Sequence, residues 1–265
     1  MSGDKALRER SHLLDELRQI VQSMKNLAFA ELQRVSRIRE AQSQAVAALE
    51  QALKRLGSMP PLAGSSSPEK PVMWLVIGAE RGFCGAFNAR LADTLDGVKL
   101  NPTKQPVLVA SSRLKESAPS PAFIFLKGCA SSDEVDATVD EWLVAIEQHR
   151  GSMTQLNVIR HDEHQVIQTL LPLHASQSAD RVSVAHTLPL PELRSAIHRQ
   201  HLRFMIQDAI TASLLQENHW RLNQMQRAQD HLDELSVQLR RQYAANRQAS
   251  ITNELETLMS GPSSV

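Results

Sequence analysis

"LRQIVQSMKNLAFAELQRVSRIREAQSQAVAALEQALKRL", residues Leu17 to Leu56, returns an apolar or small side chain in alternating steps of four and three. Leu17, Val21, Met24, Ala28, Glu31, Val35, Ile38, Gln42, Ala45, Leu49, Ala52 and Leu56 carry the repeat, and Glu31 and Gln42 interrupt its oiliness without breaking its spacing. This is the heptad of a helix wound on another helix. The stretch lies in a longer run, Asp4 to Leu56, that holds neither Gly nor Pro; a second such run goes from Glu192 to Ser260. As unbroken helices the two would span roughly 80 Å and roughly 100 Å at 1.5 Å per residue. Helices of compact domains are far shorter. The second run answers the first, since Met225, Ala228, Leu232, Leu235 and Leu239 also step by three and four. Two such rods must pair with each other.

Beyond Leu239 the register meets Gln242, Asn246, Ala249 and Asn253, so the seam turns polar before the helix ends. Between the rods lie almost all the glycines and prolines. "GSMPPLAGSSSPEKP", Gly57 to Pro71, reads as an extended linker. "VMWLVIG" from Val72, "PVLVAS" from Pro106, "AFIFL" from Ala122, "LNVIRH" from Leu156 and "HQVIQTLLPL" from His164 read as strands. "DEVDATVDEWLVAIEQH" from Asp133 reads as an amphipathic helix with Val135, Val139, Trp142, Leu143 and Ile146 on its apolar side. The expected organisation is a first rod over 1–56, a linker over 57–71, an α/β domain over 72–191 and a second rod over 192–265. Strands alternating with helices predict a mostly parallel sheet.

Composition narrows the function. Among 265 residues, acidic and basic side chains balance at 29 each, so no global charge draws in nucleic acid. Aromatics make up 4%, which favours helices over a large all-β domain. Two cysteines, Cys84 and Cys129, are too few for a disulfide framework. No run of 18 apolar residues predicts a membrane span, and the charged N-terminus has no signal-peptide core. "GAERGFCGAFNARL", Gly78 to Leu91, could cradle phosphate on its backbone N–H groups. It meets neither nucleotide fingerprint, and a tight strand-to-helix turn built from Arg81, Gly82, Cys84, Gly85 and Asn88 is the simpler reading. His161 with His164, and His198 with His201, have metal-ligand spacing but no third ligand. Cys84 has no identifiable base and reads as a small buried hydrophobe. Arg34, Arg37 and Arg39 on the first rod, and Arg240, Arg241 and Arg247 on the second, read as a solvated exterior or as a positive face toward an acidic partner.

"RQASITNEL", Arg247 to Leu255, with the helix from Arg221 to Gly261 around it, resembles the C-terminus of the gamma subunit of F-type ATP synthase. "VMWLVIGAERGFCGAFNARL" resembles that family's strand and its Arg-Gly-x-Cys-Gly-x-x-Asn turn, and "LRQIVQSMKNLAFAELQRVSR" is a more distant match to its first helix. The resemblance implies a rotor shaft: an antiparallel coiled coil inside a ring of alpha and beta subunits, with the α/β domain beside the epsilon subunit and the membrane ring of c subunits. It implies no active site and no cofactor of its own, and a peripheral place on the cytoplasmic face of a bacterial plasma membrane. It implies that Arg221, Gln248 and Thr252 contact a beta subunit, and that Leu255, Leu258 and Met259 run in a bearing. Glu31 departs from the family, standing where a base is usual. Two other readings remain: an α/β enzyme or phosphate-binding protein with a coiled-coil arm, motivated by the turn from Arg81 to Asn88, and a self-associating scaffold.

Overall fold

The computed structural model describes residues 2–55, 72–98, 105–117, 120–149, 153, 155–162, 165–171 and 188–259. The 57–71 linker and His164 lie outside the described residues. Two long helices, α1 (Ser2–Arg55) and α5 (Leu190–Met259), bracket the strands and shorter helices, as the Gly- and Pro-free runs predict. The chain forms two compact units, Met1–Ala28 with Leu222–Val265, and Phe29–Arg221.

In the first unit α1 and α5 pair antiparallel. Arg8 donates to the Tyr243 hydroxyl at 3.3 Å, Arg18 Nε to Asp233 at 3.0 Å, and Lys25 to Gln229 at 3.1 Å as well as to Gln226, so numbers rise along one helix as they fall along the other. Leu7, Leu14, Val21 and Ala28 supply one strict heptad line, and Met225, Leu232 and Leu239 face it from α5. Leu17 departs from the expected seam and is 47% exposed. The stems of Arg18 and Lys25 lie at the seam's flank in its place, holding their charged ends toward α5.

The second unit contains a five-stranded sheet in the order β3-β2-β1-β4-β5. β1 (Val72–Ile77) lies parallel to β2 (Val107–Ala110) and to β4 (Gln155–His161); β3 (Phe123–Leu126) lies parallel to β2; β5 (Gln165–Leu171) is an antiparallel edge. α2 (Phe87–Gly97) follows β1, the short α3 (Leu114–Ser117) follows β2, and α4 (Val135–His149) enters through a 3₁₀ turn, Ser132–Glu134. Both faces of the sheet are covered, which is why its central strands read as unbroken apolar runs. One face packs Met73, Leu75, Leu108 and Val158 against Val139, Trp142 and Ile146 of α4 and Ile206, Ile210 and Leu214 of α5. The other packs Val76, Val107, Val109 and Ile159 against Phe87 and Leu91 of α2. Trp142 is wholly buried, and its indole N–H reaches the Lys127 carbonyl at 3.0 Å.

The two polar breaks in the α1 heptad have tertiary partners here. Glu31, 6% exposed, accepts from the backbone N–H of Ser132 and so satisfies a free donor at the start of the 3₁₀ turn that leads into α4. Gln42 accepts from the Thr211 hydroxyl at 3.1 Å, while its own Nε2 is buried without a partner among the described residues. Thr211 also reaches the carbonyls of Gln207 and Asp208. Gln42→Leu is therefore expected to leave unfolding free energy the same or raise it by less than about 1 kcal/mol, because it removes an unsatisfied donor and Thr211 keeps its bonds to Gln207 and Asp208. Urea denaturation checks this; a loss above about 2 kcal/mol would mean that the glutamine is needed for register.

Candidate functional site

Two separate places carry the residues singled out from the sequence. The first is the turn after β1. Asn88, near the start of α2, closes it: its Oδ1 accepts from Ala79 N–H at 2.8 Å and its Nδ2 donates to the Ala79 carbonyl at 3.1 Å. Gly85 sits at φ 61°, where a Cβ is disfavoured, and Phe83 takes a similar φ of 62° with its ring exposed. Cys84 is buried, and desolvation with the nearby Glu217 charge pushes its thiol up, away from the thiolate. That environment suits a packing residue rather than a nucleophile.

Arg221 joins this turn. Its Nε donates to the Gly82 carbonyl at 3.1 Å, Nη1 donates to Asn218 Oδ1 at 2.7 Å, and Nη2 pairs with Glu217. Arg221 is 6% exposed and Glu217 2%. Burial holds the Glu217 carboxyl above the usual carboxylate range, against the pull of Arg221 and a backbone hydrogen bond from Arg81. The guanidinium thus clamps α5 onto the turn. Glu217 and Asn218 were not singled out from the sequence, though the Glu217–Arg221 spacing of four was a readable signal.

Of the two histidine pairs, the first cannot be followed, since His164 lies outside the described residues. His161 is buried, its Nε2 lies 2.9 Å from the Phe87 carbonyl, and its ring packs on Phe87 and Trp220. Burial lowers its pKa, as it does for His198 and His201. Among the described residues no group of three or more His, Cys, Asp or Glu is placed to hold a metal ion.

The second place is the end of α5. Residues 244–259 are all exposed. Gln248 and Thr252 share a face, the threonine hydroxyl donating to the Gln248 backbone carbonyl at 3.0 Å, and both residues are exposed. Ile251, Leu255, Leu258 and Met259 are 48%, 56%, 78% and 88% exposed. α1 adds an apolar line of Leu13, Leu17, Ile20 and Leu27, each about half exposed or more, of which sequence reading had named only Leu17, and that for the seam. Contiguous apolar surface of this kind marks contact with other chains. Arg34 and Arg39, read earlier as an exterior charge cluster, pair with Asp133 and Asp208 inside the second unit, whereas Arg37 is exposed.

Comparison with known proteins spans nearly the whole chain. The family model described as ATP synthase matches residues 4–265. The ATP synthase gamma chain of Geobacter metallireducens is 25% identical over 300 aligned positions, covering 100% of this chain and 99% of its own. That of Fusobacterium nucleatum is 23% identical over 290, covering both chains fully at 100%. Among solved structures, a chain of the Euglena gracilis mitochondrial ATP synthase OSCP/F1/c-ring assembly matches with a TM-score of 0.65 at 15% identity, over 97% of this chain and 93% of that one. A chain of the rotor of the same enzyme matches at 0.63 and 13% identity, over 94% and 99%.

Proposed function

This chain belongs to the ATP synthase gamma-chain family, and on that premise we propose that it is the central rotor shaft, coupling ion-driven rotation of a c ring to the conformational cycle of catalytic beta subunits. The observation that carries the proposal is the bare end of α5. A helix that stays polar on one face and apolar on another, with residues 244–259 exposed, is suited to a surface that another chain must grip and release. A dry apolar seam would hold one neighbour too long, whereas side-chain hydrogen bonds worth about 0.5–1.5 kcal/mol each exchange readily. In this reading Gln248 and Thr252 face a beta subunit, and Leu255, Leu258 and Met259 turn in the bearing made by the alpha and beta hexamer. Arg221, which also bonds the Gly82 carbonyl, is in this reading a third contact with a beta subunit. The shaft is a non-catalytic part of the complex, with epsilon and the c ring as its other partners and nucleic acid as none. It works as a peripheral component at the cytoplasmic face of the bacterial plasma membrane; among the described residues no helix is long and apolar enough to cross one.

Co-purification with cognate alpha and beta chains in a stable hexamer-bound complex is the expected result, and a chain that stays alone in their presence would overturn the reading. Within that complex, Gln248→Ala with Thr252→Ala is expected to lower ATP turnover about fivefold or more, since two lost bonds sum to at least about 1 kcal/mol. Helix content by circular dichroism should not change. Unchanged turnover would remove these two side chains from the coupling contact.

A further inference from the structure

Past the carboxyl ends of β1, β2 and β3, three crossover loops converge on one side chain. Glu80 Oε2 accepts from the backbone N–H of Ser112 at 2.8 Å and of Gly128 at 3.3 Å, and Oε1 accepts from the Ser112 hydroxyl at 2.6 Å. Arg113 Nε donates to the Glu80 backbone carbonyl at 3.1 Å, which fixes the first loop against the second. A Cβ placed on Gly128 would lie 2.6 Å from Glu80 Oε2 and 3.2 Å from the Ala110 carbonyl, so only glycine admits the carboxylate. Backbone donors from two loops, a hydroxyl and a glycine that clears the approach are the means by which parallel sheets hold phosphate at this edge. Here the anion held is the chain's own.

We propose that this crevice is an oxyanion site with Glu80 as its built-in occupant, and that removing the carboxylate lets inorganic phosphate take its place. The occupant explains in chemical terms why a sheet of this strand order need not bind a nucleotide: the donors are already spent. The inference stands apart from the shaft role, because it concerns only the sheet's carboxyl edge and is tested on the full chain without other subunits.

The test compares wild type, Glu80→Ala and Glu80→Gln by thermal unfolding in inorganic phosphate against chloride of equal ionic strength. E80A should have a lower Tm in chloride and regain about 3 °C or more when phosphate exceeds its dissociation constant about tenfold, while wild type and E80Q move by less than about 1 °C. Amide exchange at Ser112 and Gly128 should speed up in E80A and slow again on adding phosphate. An E80A response no larger than that of wild type overturns the proposal. If E80A does not fold, E80Q carries the test: a neutral oxygen is the weaker acceptor, so exchange at both amides should rise at least about threefold, and unchanged exchange overturns the proposal equally.

Discussion

Arg221→Ala is expected to lower the unfolding free energy by about 3–5 kcal/mol, because it takes the ion-pair partner at Nη2 from a Glu217 carboxylate that is 2% exposed and leaves it the hydrogen bond from Arg81. The loss should depend on pH with a definite sign. Burial already raises the Glu217 carboxyl above its ordinary value in the folded state. A group raised on folding binds its proton more readily when folded, so its stability is fully present below the unfolded pKa and is lost as pH rises through the folded one. Without Arg221 the folded value climbs further, and the window of loss widens upward from the ordinary carboxylate range. The R221A defect measured by urea titration should therefore be larger near about pH 7.5 than near about pH 5. Adding Glu217→Gln should recover much of it, since the neutral amide strands no charge. A defect independent of pH, or no rescue by E217Q, would mean that the Gly82 and Asn218 bonds matter more than the ion pair. In the assembled complex the same double variant separates two roles for Arg221. Coupling restored along with stability assigns it to clamping the turn; coupling still lost assigns it a direct contact.

The second large effect is expected at Asp208. Its carboxylate lies 3.4 Å from Arg39 Nε and 3.8 Å from Arg160 Nη2. The Arg160 side chain is only 7% exposed, and its Nε and Nη1 have no hydrogen-bond partner among the described groups. Desolvation lowers its pKa, with Asp208 and Asp162 pulling back. Asp208→Ala should cost about 3 kcal/mol or more, since among the described residues it leaves a buried guanidinium with Asp162 at 3.9 Å and Gln168 at 3.4 Å. Arg160→Met should cost much less, within about 1 kcal/mol, because it removes the charge and keeps the volume. Chemical denaturation of both variants checks the contrast. If R160M is as damaging as D208A, the buried arginine contributes net stability rather than a desolvation cost.

The rods were legible because a heptad over many turns is a dense signal, and a chain with no Gly or Pro across such lengths has few alternatives. The strands were legible for a related reason: burial on both faces writes them as short apolar runs. Register was less legible. Leu17 fits the four-three spacing as well as Val21 does, but spacing cannot say whether the seam's flank is covered by leucine or by the stems of Arg18 and Lys25. Glu31 and Gln42 looked like flaws in a seam, and only the position of Ser132 and Thr211 reveals them as tertiary bonds. The chemistry around Arg221 was half legible. Its place on α5 and the glycine-rich turn were both marked in the sequence, but their meeting depends on how α5 crosses the sheet. Glu80 gave no signal, because its partners Ser112 and Gly128 come from loops remote in sequence and are united only by the parallel order of β1, β2 and β3.

Glu141 lies exposed on α4, while Cys84 and Cys129 are buried, so a Glu141→Cys variant offers a single accessible thiol for a bead. With the cognate alpha and beta chains fixed to a surface, the bead should turn in one direction only while ATP is hydrolysed, and should stop when ATP is withdrawn. A bead that stays still while the ring hydrolyses ATP would contradict the account.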